Sequence, residues 1–199
     1  MASNKVKFGL KRLAYSLITE NSSGGVTTSS YGEITEIPGA VSISMTNSAT
    51  KTVFRADDSD YYVNYGDGSI DGTITLALVP EKLKQDLGWV KRDDYDIAVE
   101  SSDGYRADKY VALLFEFNGD QKATRHCLYK ASLGRPNLAS QTTGENGQPE
   151  VQTEEISVTA VPRADVDKYI HAYADDKTTS TAYDAWYTAV PVPTFTPNP

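Results

Sequence analysis

The chain has 199 residues, enough for one domain with its own core, and it is 39% hydrophobic and 23% charged with a mean hydropathy of -0.44. That composition is globular and excludes disorder as the default reading. A formal net charge of -8 argues against a surface built to neutralise phosphates, and the single cysteine, Cys127, excludes an intramolecular disulfide or a multi-thiolate metal cage.

The N-terminal MASNKVKFGLKRLAYSLIT is basic but lacks an apolar stretch of secretory length, and runs such as ITLALV and VALLF are too short to cross a bilayer. A product that is soluble when made is expected. Charge is unevenly placed. Residues 1–19 carry Lys5, Lys7, Lys11 and Arg12 without an acid, whereas residues 56–71 carry Asp57, Asp58, Asp60, Asp67 and Asp71 without a base. Two such stretches are candidates to meet across subunits.

In chain order, Leu13, Tyr15 and Leu17 alternate with Ala14, Ser16 and Ile18 and predict a strand after a basic arm. TENSSGGVTTSSYGE then reads as a long mobile loop. After Pro38-Gly39, the alternation of Val41, Ile43 and Met45 with Ser42, Ser44 and Thr46 predicts a half-buried strand. Tyr61 to Asn64 suggests another, GDGSIDG a turn, and Ile74, Leu76 and Leu78 a further strand against Thr73, Thr75 and Ala77. PEKLKQDLG places Pro at a helix start and Gly just past its end, predicting a short helix from about Pro80 to Leu87.

The run from Tyr110 to Pro162 is the most informative. Val111, Leu113, Phe115 and Phe117 fall on one face of a strand, Asn118-Gly119 begins a tight turn, and Thr124 to Ala131 forms the returning strand. Residues 132–150, with Gly134, Pro136, Gly144, Gly147 and Pro149, read as a long functional connection. Val151 to Val161 returns to strand, with Ile156, Val158 and Ala160 on a core face and Glu155, Ser157 and Thr159 on a wet one. Residues 165–173 fit either a helical spacing (Val166, Tyr169, Ile170, Tyr173) or alternation. Thr181 to Val190 fits a short helix, and PVPTFTPNP is an extended tail.

Catalytic signals are weak. His126 and His171 are the two histidines, and His126 beside Cys127 on one strand points to the opposite face, so no thiolate–imidazolium pair is expected and Cys127 reads as buried and inert. The acid pairs Asp57-Asp58, Asp93-Asp94, Glu154-Glu155 and Asp175-Asp176 would serve a glycosidase only across a cleft that the sequence does not indicate. Asp57, Asp58 and Asp60 lack the glycine and terminal glutamate of a calcium loop, and no phosphate-cradling glycine motif occurs. No enzymatic activity, cofactor or metal is expected. Thirteen tyrosines, including Tyr61, Tyr62 and Tyr65, suit sheet faces and interfaces, or alternatively a sugar-binding platform.

Several blocks carry a resemblance: NKVKFGLKRLAYSLIT, PGAVSIS, GTITLALVPEKLKQDLG, the FEFNGD-to-RHCLYKASLGRP centre, EEISVTA and YDAWYTAVP. Together they resemble the major tail tube proteins of bacteriophages with long, non-contractile tails, the siphophage major tail protein family. The resemblance implies a mainly β, α+β fold, a β-sandwich or barrel-like domain with a flanking helix, and it favours strand over helix at 165–173. It also implies a virion role, in which six copies form a ring and rings stack into the tube that conducts DNA into the host. Implied partners are further copies of the chain, the tape measure protein, the tail terminator and distal tail proteins, with DNA passing without specific binding and no membrane involved.

On this reading residues 1–199 form a single tail-tube domain: an N-terminal arm at 1–12, a core at 13–190 with loops at 19–33 and 132–150, and a tail at 191–199. Self-association is expected through Asn4 to Lys11, Thr19 to Glu33 and Ser132 to Glu150. The wet residues Glu155, Ser157 and Thr159, with Glu116 on a neighbouring strand, are the candidates to line the channel. The alternative is a β-sandwich carbohydrate-binding or adhesin module.

Overall fold

Two apolar layers, one on each face of a single antiparallel sheet, organise the chain. The computed structural model describes residues 4–23, 26–49, 51–66, 68–102, 109–140, 142, 151–163 and 168–195. The strands are β1 (Lys7–Ser23), β2 (Val26–Glu36), β3 (Ala40–Ser48), β4 (Lys51–Ala56), β5 (Ser59–Tyr65), β6 (Ser69–Leu76), β7 (Val90–Arg92), β8 (Ala98–Glu100), β9 (Val111–Gly119), β10 (Thr124–Leu133), β11 (Glu154–Ala160) and β12 (His171–Ala174). The helices are α1 (Glu81–Asp86) and α2 (Ser180–Asp184), which runs into a 3-10 turn at Ala185–Tyr187.

The main sheet has the order β2-β1-β9-β10-β11-β6-β3, with β12 pairing β10 beside this path. Inner-face side chains from β1 round to β3 share one core. Leu13 and Tyr15 of β1 join Val111, Leu113 and Phe115 of β9, Leu128 of β10, Ile156 and Val158 of β11 and Ile74 and Leu76 of β6, with Ile43 and Met45 of β3 packed against them. A flat sheet cannot bring β1 and β3 to a common core, so this one is curled into an incomplete barrel. Leu83 of α1, with Val79, Leu87 and Trp89 around it, belongs to the same core. The helix lies where the sequence placed it: Pro80 is its N-cap, Leu87 its C-cap, and Gly88 at φ 74 takes the left-handed position that ends it.

A second layer covers the outer face of β1, β9 and β10. Ala14, Ala112, Leu114, Cys127 and Tyr129 are roofed by Ala174, Tyr183, Trp186 and Val190. Coverage on both sides explains why β9 reads as a continuous apolar run instead of an alternating one.

The sequence reading needs corrections of element boundaries. The expected GDGSIDG turn is shorter than read, because Ser69–Gly72 already belong to β6, with Asp71 opposite Thr159 and Thr46, and Leu78 lies exposed past the end of that strand. Residues 7–12 of the expected arm already belong to β1, paired with β9 from Lys7 opposite Gly119, and Asn4 binds the β9–β10 turn through Gln121 and Lys122. The expected loop at 19–33 is instead the far half of the β1–β2 hairpin, in which Ser23 faces Val26 and Ile18 faces Tyr31. Its Ser and Thr side chains bond across the strands, as in the Ser22–Thr27 hydroxyl pair and Ser30 to the Thr19 carbonyl, so composition mimicked a loop while the hydroxyls stitched a ladder. The connection after β10 starts later than expected, because the strand runs to Leu133; residues 141 and 143–150 lie outside the described residues. At 165–173, residues 164–167 are also outside, and the alternating option holds from His171, where β12 begins.

Candidate functional site: a hydroxyl and carboxylate face without cations

Register decides what shares a face. Glu155 lies opposite Thr75, Ser157 opposite Thr73 and Thr159 opposite Asp71, and on the other side of β6 these align with Ser42, Ser44 and Thr46 of β3. Alternation then turns Ile156, Val158, Ile74 and Leu76 inward and all nine polar side chains outward. The outer surface of β11, β6 and β3 is therefore a lattice of hydroxyls carrying two carboxylates, and none of the three strands contains a lysine or arginine.

The lattice is partly self-bonded. Thr159 Oγ1 donates to Asp71 Oδ1 at 2.8 Å, Ser69 Oγ donates to Asp71 Oδ2 at 2.9 Å, and Ser42 Oγ donates to Thr75 Oγ1 at 3.0 Å. The Thr159 hydroxyl, with those of Ser48 and Ser69, holds the Asp71 carboxyl below its ordinary pKa, so it stays anionic at neutral pH. Gly72 makes the β3–β6 contact possible, since a Cβ there would sit 2.0 Å from the Ser44 carbonyl oxygen and 2.9 Å from Met45 Cα.

Glu155, Ser157 and Thr159 are thus exposed, on one face, as the sequence predicted. Glu116 is different. It is 8% exposed, ion-paired to Arg125 at 2.8 Å, and lies under the C-terminal cover, where Arg125 also donates to the Tyr183 carbonyl and stacks on the Tyr183 ring. A buried ion pair on β9 is not part of an open polar face. The sequence reading missed Asp71, Thr73, Thr75, Ser42, Ser44 and Thr46 as members of the face. Their alternation was visible in the sequence, but which strands lie beside β11 was not.

Beyond the sheet, β4 and β5 form a separate two-stranded hairpin joined through short links to the ends of β3 and β6. Its turn residues Asp57 and Asp58 both have positive φ, at 52 and 55, as the type I′ two-residue hairpin turn requires. Among the described residues no group of three or more His, Cys, Asp or Glu is placed to hold a metal. Phe54, Tyr61 and Tyr62 on this hairpin are 61%, 72% and 60% exposed. Cys127 is fully buried and its thiol is pushed up by burial, far from a reactive thiolate. His126 faces the other way, as expected, and meets His171 across β10 and β12 with Nδ1 and Nε2 3.0 Å apart, a pairing that nothing in the sequence signalled.

No protein-family model matches the chain, and no curated protein matches it in sequence. Among solved structures, it is similar to a chain of the anti-feeding prophage baseplate seen by cryo-electron microscopy. The likeness covers 89% of this chain and 100% of that one at 10% identity, with a TM-score of 0.40, too loose to carry an argument about function. The tail-tube reading therefore rests on the sequence blocks and on the surfaces just described.

Proposed function

We propose that this protein is a structural subunit of a phage tail tube, assembling as stacked hexameric rings with the β11–β6–β3 face toward the channel. The observation that carries the reading is the absence of cations from a face that bears Glu155, Asp71 and a field of hydroxyls. A duplex carries a phosphate charge about every 1.7 Å of axis, and any lysine or arginine on the wall would hold it by counterion release. A wall of carboxylates and mutually bonded hydroxyls repels the duplex weakly and evenly, and DNA slides. Catalysis has no part in this role, and the virion is where the protein acts, with the tape measure, terminator and distal tail proteins as its neighbours.

The edges of the protomer support assembly. The strand order ends in β2 and β3, which present long edges, and such edges in soluble proteins are usually covered or paired. The β4–β5 hairpin is a two-stranded element of a kind that is marginal in water by itself, with aromatics on its surface. A neighbouring copy would cover both. A heterologous contact that closes on itself gives a ring, and a second one stacks rings into a tube.

Negative-stain electron microscopy of the concentrated protein tests the reading, with rings or tubes about one subunit layer thick expected. A monodisperse monomer that gains thermal stability with a glycan would replace it with the adhesin reading. The orientation of the face is tested in assembled tubes with Glu155→Cys in a Cys127→Ser background. A small thiol reagent should label position 155 while a bulky one excluded from the lumen should not, and equal labelling would place this face on the outside.

A further inference from the structure

The chain has two histidines, 45 positions apart, and the fold brings them together. The ring planes are within 11° of each other, and the centroids, at 5.3 Å, are farther apart than the bonded nitrogens at 3.0 Å by roughly the breadth of one ring. The imidazoles are therefore edge to edge, His126 Nδ1 aimed at His171 Nε2, and one proton lies between them. The pair tolerates a first added proton, which leaves an imidazolium donating to an imidazole. A second sets two N–H groups against each other.

His126 is the group for which that second proton is most costly. Phe115 lies parallel to its ring and offset from it, with centroids 5.1 Å apart, Phe117 meets it edge-on at 5.0 Å, and burial, then His171 and Lys7, push its pKa down to about 4. His171 stands at the exposed rim, and the protein packed around its imidazole lowers it as well. The titratable and charged groups facing the pair are Lys7 of β1 in the cavity that both histidines line, Lys168 and Tyr169 in the adjoining cavity beside His171, and Tyr173 of β12. Among the described residues no carboxylate lines either cavity, so within them a doubly protonated pair faces Lys7 and no counterion.

What the pair holds is β12. This strand is four residues long and, among the described residues, its ladder is to β10 alone, from Arg125 opposite Ala174 to Leu128 opposite His171. Through the turn at Asp175–Thr178 it leads into the C-terminal cover of Tyr183, Trp186 and Val190, and Ala172 sits directly opposite the buried Cys127. We propose that His126 and His171 form an acid-operated latch, which holds β12 and the C-terminal cover onto the sheet at neutral pH and releases them when both imidazoles are charged, leaving the rest of the sheet intact.

The sign follows from linkage. A histidine whose folded pKa is depressed contributes stability above its unfolded value near 6.5, and that contribution is lost as pH falls toward 4. If His126 regains an ordinary pKa on opening, the opening equilibrium rises by up to about a hundredfold from pH 7 to pH 4. Cys127 reports it, because removing β12 uncovers the thiol. The protein is labelled with 4,4′-dithiodipyridine, which reacts with thiols in acid, and rates are divided by those of the urea-unfolded chain at the same pH. The normalised rate should rise at least about tenfold between pH 7 and pH 4. Far-UV circular dichroism should show the sheet retained. In His126→Phe, which keeps a ring but removes the group that carries most of the rise, it should fall below about threefold, whereas His171→Phe, which removes the second charge but leaves His126 buried, should show a rise clearly smaller than the parent's. A wild-type rate that stays flat, or an equal acid rise in either variant that folds, overturns the latch. Neither result depends on whether the protein forms tubes.

Discussion

Glu116→Ala is the perturbation that most sharply separates a buried structural role from an open polar face. Its carboxylate lies 2.8 Å from Arg125, with side-chain exposures of 10% and 12%, and Arg12 stacks at 3.9 Å on the neighbouring Tyr187 ring. Truncation leaves the Arg125 guanidinium under the cover without its counterion, a change that costs about 3–5 kcal/mol when the pair is buried. Arg125 keeps the Tyr183 carbonyl and ring, so the low end, about 3 kcal/mol, is the expected loss. For a chain of this size each kcal/mol moves Tm by about 2–4 °C, giving a fall of about 6–12 °C in dilute protein by calorimetry. The double variant Glu116→Leu with Arg125→Met removes both charges and should recover to within about 1 kcal/mol of the parent, since a well-packed apolar pair replaces a buried ion pair at little cost. A single-variant fall of less than about 3 °C would refute the reasoning, because it would show the pair to be solvated, worth no more than a surface salt bridge.

Gly72→Ala should destabilise by about 1–3 kcal/mol and make β3 the first site of proteolysis, since its Cβ meets the Ser44 carbonyl and Met45 backbone; proteolytic fragments read by mass spectrometry check this. Tyr15→Phe removes a 2.5 Å bond from the buried phenol to Asp86 Oδ2 and should cost about 1.5–3 kcal/mol in urea unfolding. Burial pushes the Asp86 carboxyl up, but bonds from Lys82 and Tyr15 hold it below its ordinary value on balance. Its contribution is present above about pH 4 and lost as pH falls further, so the variant should show a shallower loss of stability below pH 4. Asn4→Ala should cost about 1 kcal/mol and speed amide exchange at Lys7–Leu10, because the Asn4 side chain bonds the Gln121 and Lys122 amides and the Lys122 carbonyl. Glu155→Lys should spare folding and tube assembly yet slow DNA passage, measured as ejection rate, by giving the wall a cation.

The sequence by itself determined which residues face inward on each strand, because period-2 alternation is local. Ile156, Val158 and Ala160 against Glu155, Ser157 and Thr159, or Ile74 and Leu76 against Thr73 and Thr75, are settled by pleat geometry whatever the neighbours turn out to be. Pro80 and Gly88 likewise bounded α1 through their own backbone preferences. What only the tertiary structure decided was adjacency. That β11 lies beside β6 and β6 beside β3 makes three separate polar rows into one cation-free face, and it depends on long-range ladders that no local pattern encodes. The same holds for Glu116, whose alternation matched an exposed position until α2 and the 3-10 turn roofed it, and for His126 and His171, which β10 and β12 bring within bonding distance. The β1–β2 hairpin shows the converse: Ser, Thr and Gly suit a loop and a strand edge alike, and only pairing across the turn tells the two apart.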